Sequence, residues 1–434
     1  MHRLGRSDRA ASRGTGGKIL ARGLRLLKRL IWPLWERSYG PCARVARVLH
    51  GRACFVGITG SYGKTSTKQL VAAVLSADGR VHLSGVIAGR HGDLERTLVT
   101  MGPWHRYCVE ELSGYEPGSL ARLTSVLRPD IGVVTKVGYD HHKNFRSLEE
   151  TAEEKATLVE VLPPHGVAVL NADDPLVWAM RARTKARVIG CGFSEEAELR
   201  AEDVSSAWPE RCSFTAVHGD QRVRVQTRMI GAHWAFAALA ALGVGLARGI
   251  PLETGARMLA KAEPMYGRMS CHETKDGVTF ILDSYKSSYD TVAATLAFLT
   301  AARARRKIFV LGHMSDYKGS ASSKYRDVAR KALAGADEVL FVTPHNSSVR
   351  KLTEADGRDR LKTFATVYEL NSYLQSRLQA GDLVVLKGSE RPDHLKRLCL
   401  DRDQAIRCWR ERCGRNKFCP NCELWSSPLT PVAT

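Results

Sequence analysis

The chain has 434 residues, 44% of them hydrophobic, which suits a globular protein of two or three domains with ample core. Eleven Cys, an odd number scattered along the chain, argue against a disulfide scaffold and for buried thiols of a cytoplasmic protein. No apolar run is long enough to span a bilayer, and none has the form of a secretory signal.

The net charge of +20 is unevenly spread. Residues 1–50 carry twelve Lys and Arg against Asp8 and Glu36, a net +10. Within this arm Leu24, Leu26, Leu27, Leu30, Ile31, Trp32, Leu34 and Trp35 alternate with Arg25, Lys28 and Arg29. The pattern is that of a basic amphipathic helix able to lie on an anionic membrane, with residues 1–40 as the contact. The other reading is a solvated tail followed by a helix packed on the body. Nucleic-acid binding has charge in its favour but no reading motif.

The elements follow in order. Ala53–Val56 reads as a buried strand, and Lys68–Leu75 as a helix with Leu70, Val71, Val74 and Leu75 on one face. Between them lies Gly57–Thr67, GITGSYGKTST. Strand, glycine loop and helix form the context of a phosphate-binding loop, whose N–H groups face an anion. Gly60, Ser61, Gly63, Lys64, Thr65 and Ser66 are the nucleotide candidates. Lys64 would reach the terminal phosphates and Thr65 would bind Mg2+. Ile58 stands where the strict pattern has its first glycine.

A strand at Arg80–Leu83 and a helix around Asp93–Val99 come next. Tyr107–Leu112 is a core strand carrying Glu110 and Glu111, Ser119–Leu127 a helix, Ile131–Thr135 a strand, Leu148–Leu162 a helix and Val167–Leu170 a strand. Residues 188–228 change to short alternating segments, expected as a small antiparallel insertion, and 233–248 is an Ala/Leu-rich helix. After a linker at Glu263–Arg268, strands at Val278–Leu282, Lys307–Leu311, Glu338–Val342 and Leu383–Leu386 alternate with helices at Asp290–Ala302, Tyr325–Leu333 and Leu370–Leu378. The expected fold is α/β: a P-loop central domain with a mostly parallel sheet (51–265) and a C-terminal Rossmann-like domain (266–398). The basic arm (1–50) and a Cys-rich tail (399–434) flank them.

Ligands bind at the carboxyl ends of strands in such sheets. Collecting the residues there gives Lys64, Thr65, Glu110, Glu111, Lys136, Asp140, His141, His142, Asp173 and Asp174 from the first region, and Asp283, His313 and Lys387 from the second. Carboxylates and a His beside a phosphate loop suit Mg2+ bound with substrate phosphates.

On these residues the chain resembles the Mur ligase family, ATP-dependent enzymes that join a carboxylate to an amine. TGSYGKTST resembles that family's T-G-x-x-G-K-T followed by Thr or Ser, with the same missing first glycine. Glu111-Leu112-Ser113 and Thr135–His141 resemble the segments carrying its Mg2+-binding Glu and metal-site His. Lys155 falls where many members have a carbamylated Lys supporting the metals. Asn171 matches a nucleotide-side position and Arg268 the domain-junction Arg, both counted among the nucleotide-binding candidates; Asp283-Ser284-Tyr285 matches the stretch whose Asp holds the ribose, and Lys387-Gly388-Ser389 a later strand end. The resemblance spans residues 53–395, and is nearest the branch that adds D-alanyl-D-alanine to the cell-wall precursor.

It implies ATP and Mg2+ as cofactors, a carboxylate and an amino acid or peptide amine as substrates, and Thr65, Glu111 and His141 around Mg2+. Lys64, Lys155, His141 and His313 are the catalytic candidates, the last as a positioner or base for the amine. Departures fall on the adenine and amine sides. H-N-x-x-N is His233–Ala237, Y-N-A-N-P is Tyr285–Tyr289, and the Asp of G-D-M is His313. Only the arm precedes the loop, where that branch has a domain holding the UDP part of its substrate. A ligase acting on a substrate without a UDP handle is therefore expected. A precursor ligase with a reduced N-terminus and a non-catalytic nucleotide-binding scaffold are the alternatives.

The tail lies outside the resemblance. Cys408, Cys413, Cys419 and Cys422 lie within fifteen residues, and Cys419-Pro420-Asn421-Cys422 has the spacing that lets two thiolates share Zn2+. A redox pair and no specific role are the other readings.

Overall fold

The computed structural model describes residues 40–85, 91–139, 144–349, 352, 357–411, 419, 422 and 424. Residues 1–39 of the arm, His141 and Cys413 lie outside the described residues.

The first group of strands is β1 (Cys54–Thr59), β2 (Val81–Leu83), β3 (Tyr107–Glu111), β4 (Ile131–Val134), β5 (Val167–Asn171), β6 (Arg187–Gly192), β7 (Leu199–Ser205), β8 (Ser213–His218) and β9 (Gln221–Gln226). They form one sheet in the order β2-β3-β1-β4-β5-β6-β7-β8-β9. Pairing is parallel from β2 to β7 and antiparallel from there to β9. Parallel neighbours need a crossover, and the helices supply it. β1 is buried along its whole length. Its alternate residues serve two layers. Cys54, Val56 and Ile58 pack with Val74 of helix Lys64–Leu75 and Leu242 of helix Ala235–Ala247. Phe55 packs with Leu123, Leu127 and Leu158.

The small antiparallel insertion expected at 188–228 holds for β7 to β9 and is corrected for β6. β6 completes the parallel row, with Ile189 and Cys191 fully buried against β5. β7 to β9 extend the same sheet. The alternation in Arg222-Val223-Arg224-Val225 marks an edge strand with one covered face.

The second group is β10 (Ser270–Glu273), β11 (Thr279–Asp283), β12 (Arg306–Leu311), β13 (Glu338–Val342), β14 (Leu361–Phe364) and β15 (Asp382–Lys387). Their order is β10-β11-β15-β12-β13-β14, parallel except for the β10–β11 pair. Phe280, Leu282, Ile308 and Val310 pack with Leu370 and Leu374 on one face. Ile281, Phe309 and Val385 pack with Val292 and Tyr325 on the other.

Parallel register places the ends of β1, β3 and β4 on one edge of the first sheet, and the ends of β11, β12 and β15 on one edge of the second. The candidate site is built there.

Candidate active site

The phosphate-loop candidate leaves β1 through two glycines that no other residue replaces without strain. Gly60 has φ 140°, and a Cβ there would meet Thr135 Oγ1 at 2.0 Å. Gly63 has φ 80° and caps helix Lys64–Leu75, which starts four residues before its expected first residue. The first-turn N–H groups of a helix have no intrahelical acceptor and form its positive end. The loop is tied to the end of β4. Ser61 N donates to Lys136 O at 2.7 Å, Ser61 Oγ exchanges hydrogen bonds with Gly138 at 2.9 Å, and Thr135 Oγ1 donates to Tyr62 O at 2.6 Å. Lys64 Nζ folds over the loop and donates to Gly60 O at 2.6 Å. Ser66 is buried in the first helical turn.

Beside the loop, Thr65 Oγ1 donates to Glu111 Oε2 at 2.7 Å, both side chains being buried. Arg268 Nη2 reaches Thr65 Oγ1 at 3.3 Å, with its guanidinium over the Tyr285 ring at 4.5 Å. Asn171 Nδ2 donates to Thr135 O at 2.8 Å. Lys155 is buried in helix Leu148–Glu160. Its neighbour Glu154 accepts from Gly118 N at 2.7 Å and Leu120 N at 2.6 Å, fixing the start of helix Ser119–Leu127. A hydroxyl and a carboxylate are hard oxygen donors of the kind Mg2+ takes, so the residues present fit that ion. His141, the third expected ligand, lies outside the described residues.

On the second sheet, Lys387 Nζ donates to Asp283 Oδ2 at 2.6 Å and Thr295 Oγ1 to the same oxygen at 2.7 Å. Burial would raise the Asp283 pKa, but the Lys387 charge and these two bonds hold it below the ordinary value. His313 is anchored through its backbone, whose N–H donates to Asp393 Oδ2 at 2.8 Å. Ser389 N donates to the same oxygen at 2.6 Å. That carboxyl sits against Gly312 and Gly388, where an added Cβ would meet it at 2.3 and 2.6 Å. Burial lifts the Asp393 pKa to about 7 against the pull of the two N–H donors. Burial lowers the His313 pKa, His345 adds to this, and Asp316 opposes it. Lys286 pairs with Asp316 at 3.6 Å.

The two edges meet. The Tyr62 hydroxyl lies 2.8 Å from both Tyr139 O and Asp290 Oδ2, and Tyr139 N donates to Asp290 Oδ2 at 3.4 Å. Lys318 Nζ donates to Arg146 O at 3.0 Å. Sequence reasoning missed this latch and Asp393, because both depend on residues brought together only by folding. It also missed Lys68, one helical turn beyond Lys64, whose ammonium donates to Ser84 Oγ at 2.9 Å, Gly85 O at 3.0 Å and Ser84 O at 3.1 Å. Burial lowers the Lys68 pKa and raises that of nearby Glu110. The available signal was a Lys on an otherwise covered helix face.

The zinc expectation finds no support. Cys408 and Cys419 are buried and Cys422 half-buried. Cys419 Sγ lies 3.4 Å from His394 Nδ1. Among the described residues no group of three His, Cys, Asp or Glu side chains is placed to share a metal ion. Nor is any described helix long and apolar enough to cross a membrane.

Residues 58–245 match the Mur ligase middle domain, and residues 267–390 the Mur ligase glutamate ligase domain. The UDP-N-acetylmuramoyl-tripeptide–D-alanyl-D-alanine ligase of Mycobacterium tuberculosis is 32% identical over 373 residues, covering 80% of this chain and 72% of that one. A crystal structure of MurF from Acinetobacter baumannii superposes with a TM-score of 0.76 at 21% identity, over 85% of this chain and 80% of that one. MurF ligase from Thermotoga maritima in complex with ADP gives 0.75 at 21% identity, over 85% and 84%. The chain belongs to the Mur ligase family of ATP-dependent carbon–nitrogen ligases.

Proposed function

We propose that the chain transfers the γ-phosphoryl group of ATP to a substrate carboxylate and then joins the acyl group to an amino acid or peptide amine. The observation that carries this reading is the Thr65–Glu111 hydrogen bond of 2.7 Å at the mouth of the glycine loop, with Arg268 reaching it from the second sheet. The ADP complex of the Thermotoga relative supports the nucleotide.

A carboxylate oxygen attacks the γ-phosphorus and ADP leaves. The amine nitrogen then attacks the acyl carbon and phosphate leaves, with one proton lost from nitrogen. Loop N–H groups and Lys64 hold the phosphates and place them in line for the carboxylate. Thr65, Glu111 and His141 would hold Mg2+, with Lys155 behind them. The ion, when bound, offsets charge on the moving phosphoryl group. Asn171, Arg268, Asp283 and Lys387 take the nucleoside side. His313, whose pKa burial lowers, is the candidate to position the incoming amine or take its proton.

The proposed substrates differ from those in the relatives' names, and the carboxylate partner carries no UDP handle. Lys286 paired with Asp316 supports this, because it places a new charge on the rim where the family motif has Asn.

The test is an ADP-release screen over pairs of carboxylates with amino acids or dipeptides, with mass analysis of the product. One pair is expected to give a condensed product minus water. Lys64→Ala is expected to lower its rate by about a hundredfold or more. No pair-dependent ADP release, or full activity in the variant, would overturn the reading.

A further inference from the structure

Opposite the cleft, the amino ends of the first sheet's strands form an edge that the ligase reading does not use. Eight large hydrophobic side chains are exposed among the described residues. Six of them belong to this edge. Val45, Val48 and Leu49 are 58%, 65% and 79% exposed on the helix spanning 40–49. Ala43 and Arg47 hold the other face of that helix to the body. Ala43 is fully buried. Arg47 Nε donates to Leu127 O at 2.6 Å, its guanidinium lying over Phe55 at 3.7 Å. Trp104, 62% exposed, stands in the turn that enters β3. Val99 and Val161 stand at the ends of helices that run back to this edge, His91–Thr100 and Leu148–Glu160.

Positive charge predominates around these residues. Arg44, Arg52, Arg80, Arg106, Arg128 and Arg248 are exposed and sit at strand starts or helix ends on the same edge. Three of the acids there are engaged. Asp78 is bonded to Tyr107 and Arg106, Asp130 Oδ2 accepts from Phe55 N at 2.8 Å, and Glu160 is paired with Arg183. Residues 1–39, with ten Lys and Arg against Asp8 and Glu36, enter the fold through this same helix.

Large apolar side chains among exposed Arg, with aliphatic stems able to lie along the apolar layer, are what an anionic bilayer surface takes up. We propose that the amino-end edge is a docking surface for an anionic lipid bilayer, with Val45, Val48, Leu49 and Trp104 entering the interface. β1 has six residues, so the phosphate loop lies about 20 Å from that surface. The cleft of the docked enzyme therefore opens toward water, where soluble nucleotide reaches it.

The experiment is co-sedimentation of the full chain with vesicles of equimolar dioleoylphosphatidylglycerol and dioleoylphosphatidylcholine, against vesicles of dioleoylphosphatidylcholine alone. The full chain is expected to bind the anionic vesicles and to release as salt rises. The triple variant Val45→Ser, Val48→Ser, Leu49→Ser is expected to bind roughly tenfold more weakly, with ADP release in solution unchanged. The double variant Phe193→Ser, Tyr368→Ser removes exposed rings from other faces and is expected to bind as the parent does. Three results overturn the proposal: no binding to anionic vesicles, equal binding by the triple variant, or a chain that dimerises through this edge and leaves vesicles alone.

Discussion

Asp393 shows how burial sets a charge at the rim of the site. Its pKa is raised from 3.8 to about 7, so the folded chain holds this proton more tightly than the unfolded chain. Between about pH 4 and pH 7 the unfolded state has lost the proton while the folded state keeps it. Stability from this group therefore falls as pH rises through that window. Asp283 has the opposite sign. Its folded pKa is lowered, so its contribution is present above the unfolded pKa and is lost on acidification. Both N–H donors to Asp393 use one oxygen, Oδ2, which the amide oxygen of Asn can replace. Asp393→Asn is expected to gain on the parent by on the order of 2 kcal/mol between pH 5 and pH 8, read from urea unfolding at each pH. Parallel pH curves, or a loss over that range, would show that Asp393 is charged in the folded chain.

The loop between β1 and helix Lys64–Leu75 is the element on which the proposed chemistry depends. Thr135 and Lys136, at the end of β4, leave no room for a side chain at position 60. Gly60→Ala is expected to cost about 1–3 kcal/mol of stability and most of the nucleotide affinity, measured by thermal unfolding with and without ATP. Gly219→Ala, in the β8–β9 turn at φ 55° with open space around its Cβ, is the contrast. It is expected to leave the ATP-induced stabilisation intact, and an equal loss in both variants would count against a special role for the loop.

β1, β3, β4 and β5 were legible in the sequence because each is an apolar run bounded by Gly, Pro or charge and buried on both faces. β10 and β14 were not. Leu361-Lys362-Thr363-Phe364 has one fully buried side chain and takes its strand form from pairing with β13. Helix Leu252–Leu259 was also missed, lying between stronger signals. Of the site, the Thr65–Glu111 and Asp283–Lys387 pairs were readable as strand-end residues. Asp393 and the Tyr62–Asp290 contact were not, since partners 81 and 228 positions apart, in the first case Gly312 and Asp393 and in the second the latch itself, have no local periodicity to announce them.

At the scale of the whole molecule, the two carboxyl-end edges face each other, held by Tyr62 on Asp290 and Arg268 on Thr65. Further closure of these edges over the substrates would exclude water and protect a reactive acyl group from hydrolysis. The amino-end edge turns the other way, so the proposed docking surface and the candidate site lie at opposite ends of the same sheet. The central claim is that the carboxylate is activated by phosphorylation. It is tested most directly by giving the enzyme ATP, the amine and a carboxylate carrying heavy oxygen, and measuring the label in the released phosphate. Transfer of one labelled oxygen to inorganic phosphate, with ADP as the nucleotide product, is the predicted result. Unlabelled phosphate, or label recovered in AMP, would contradict it.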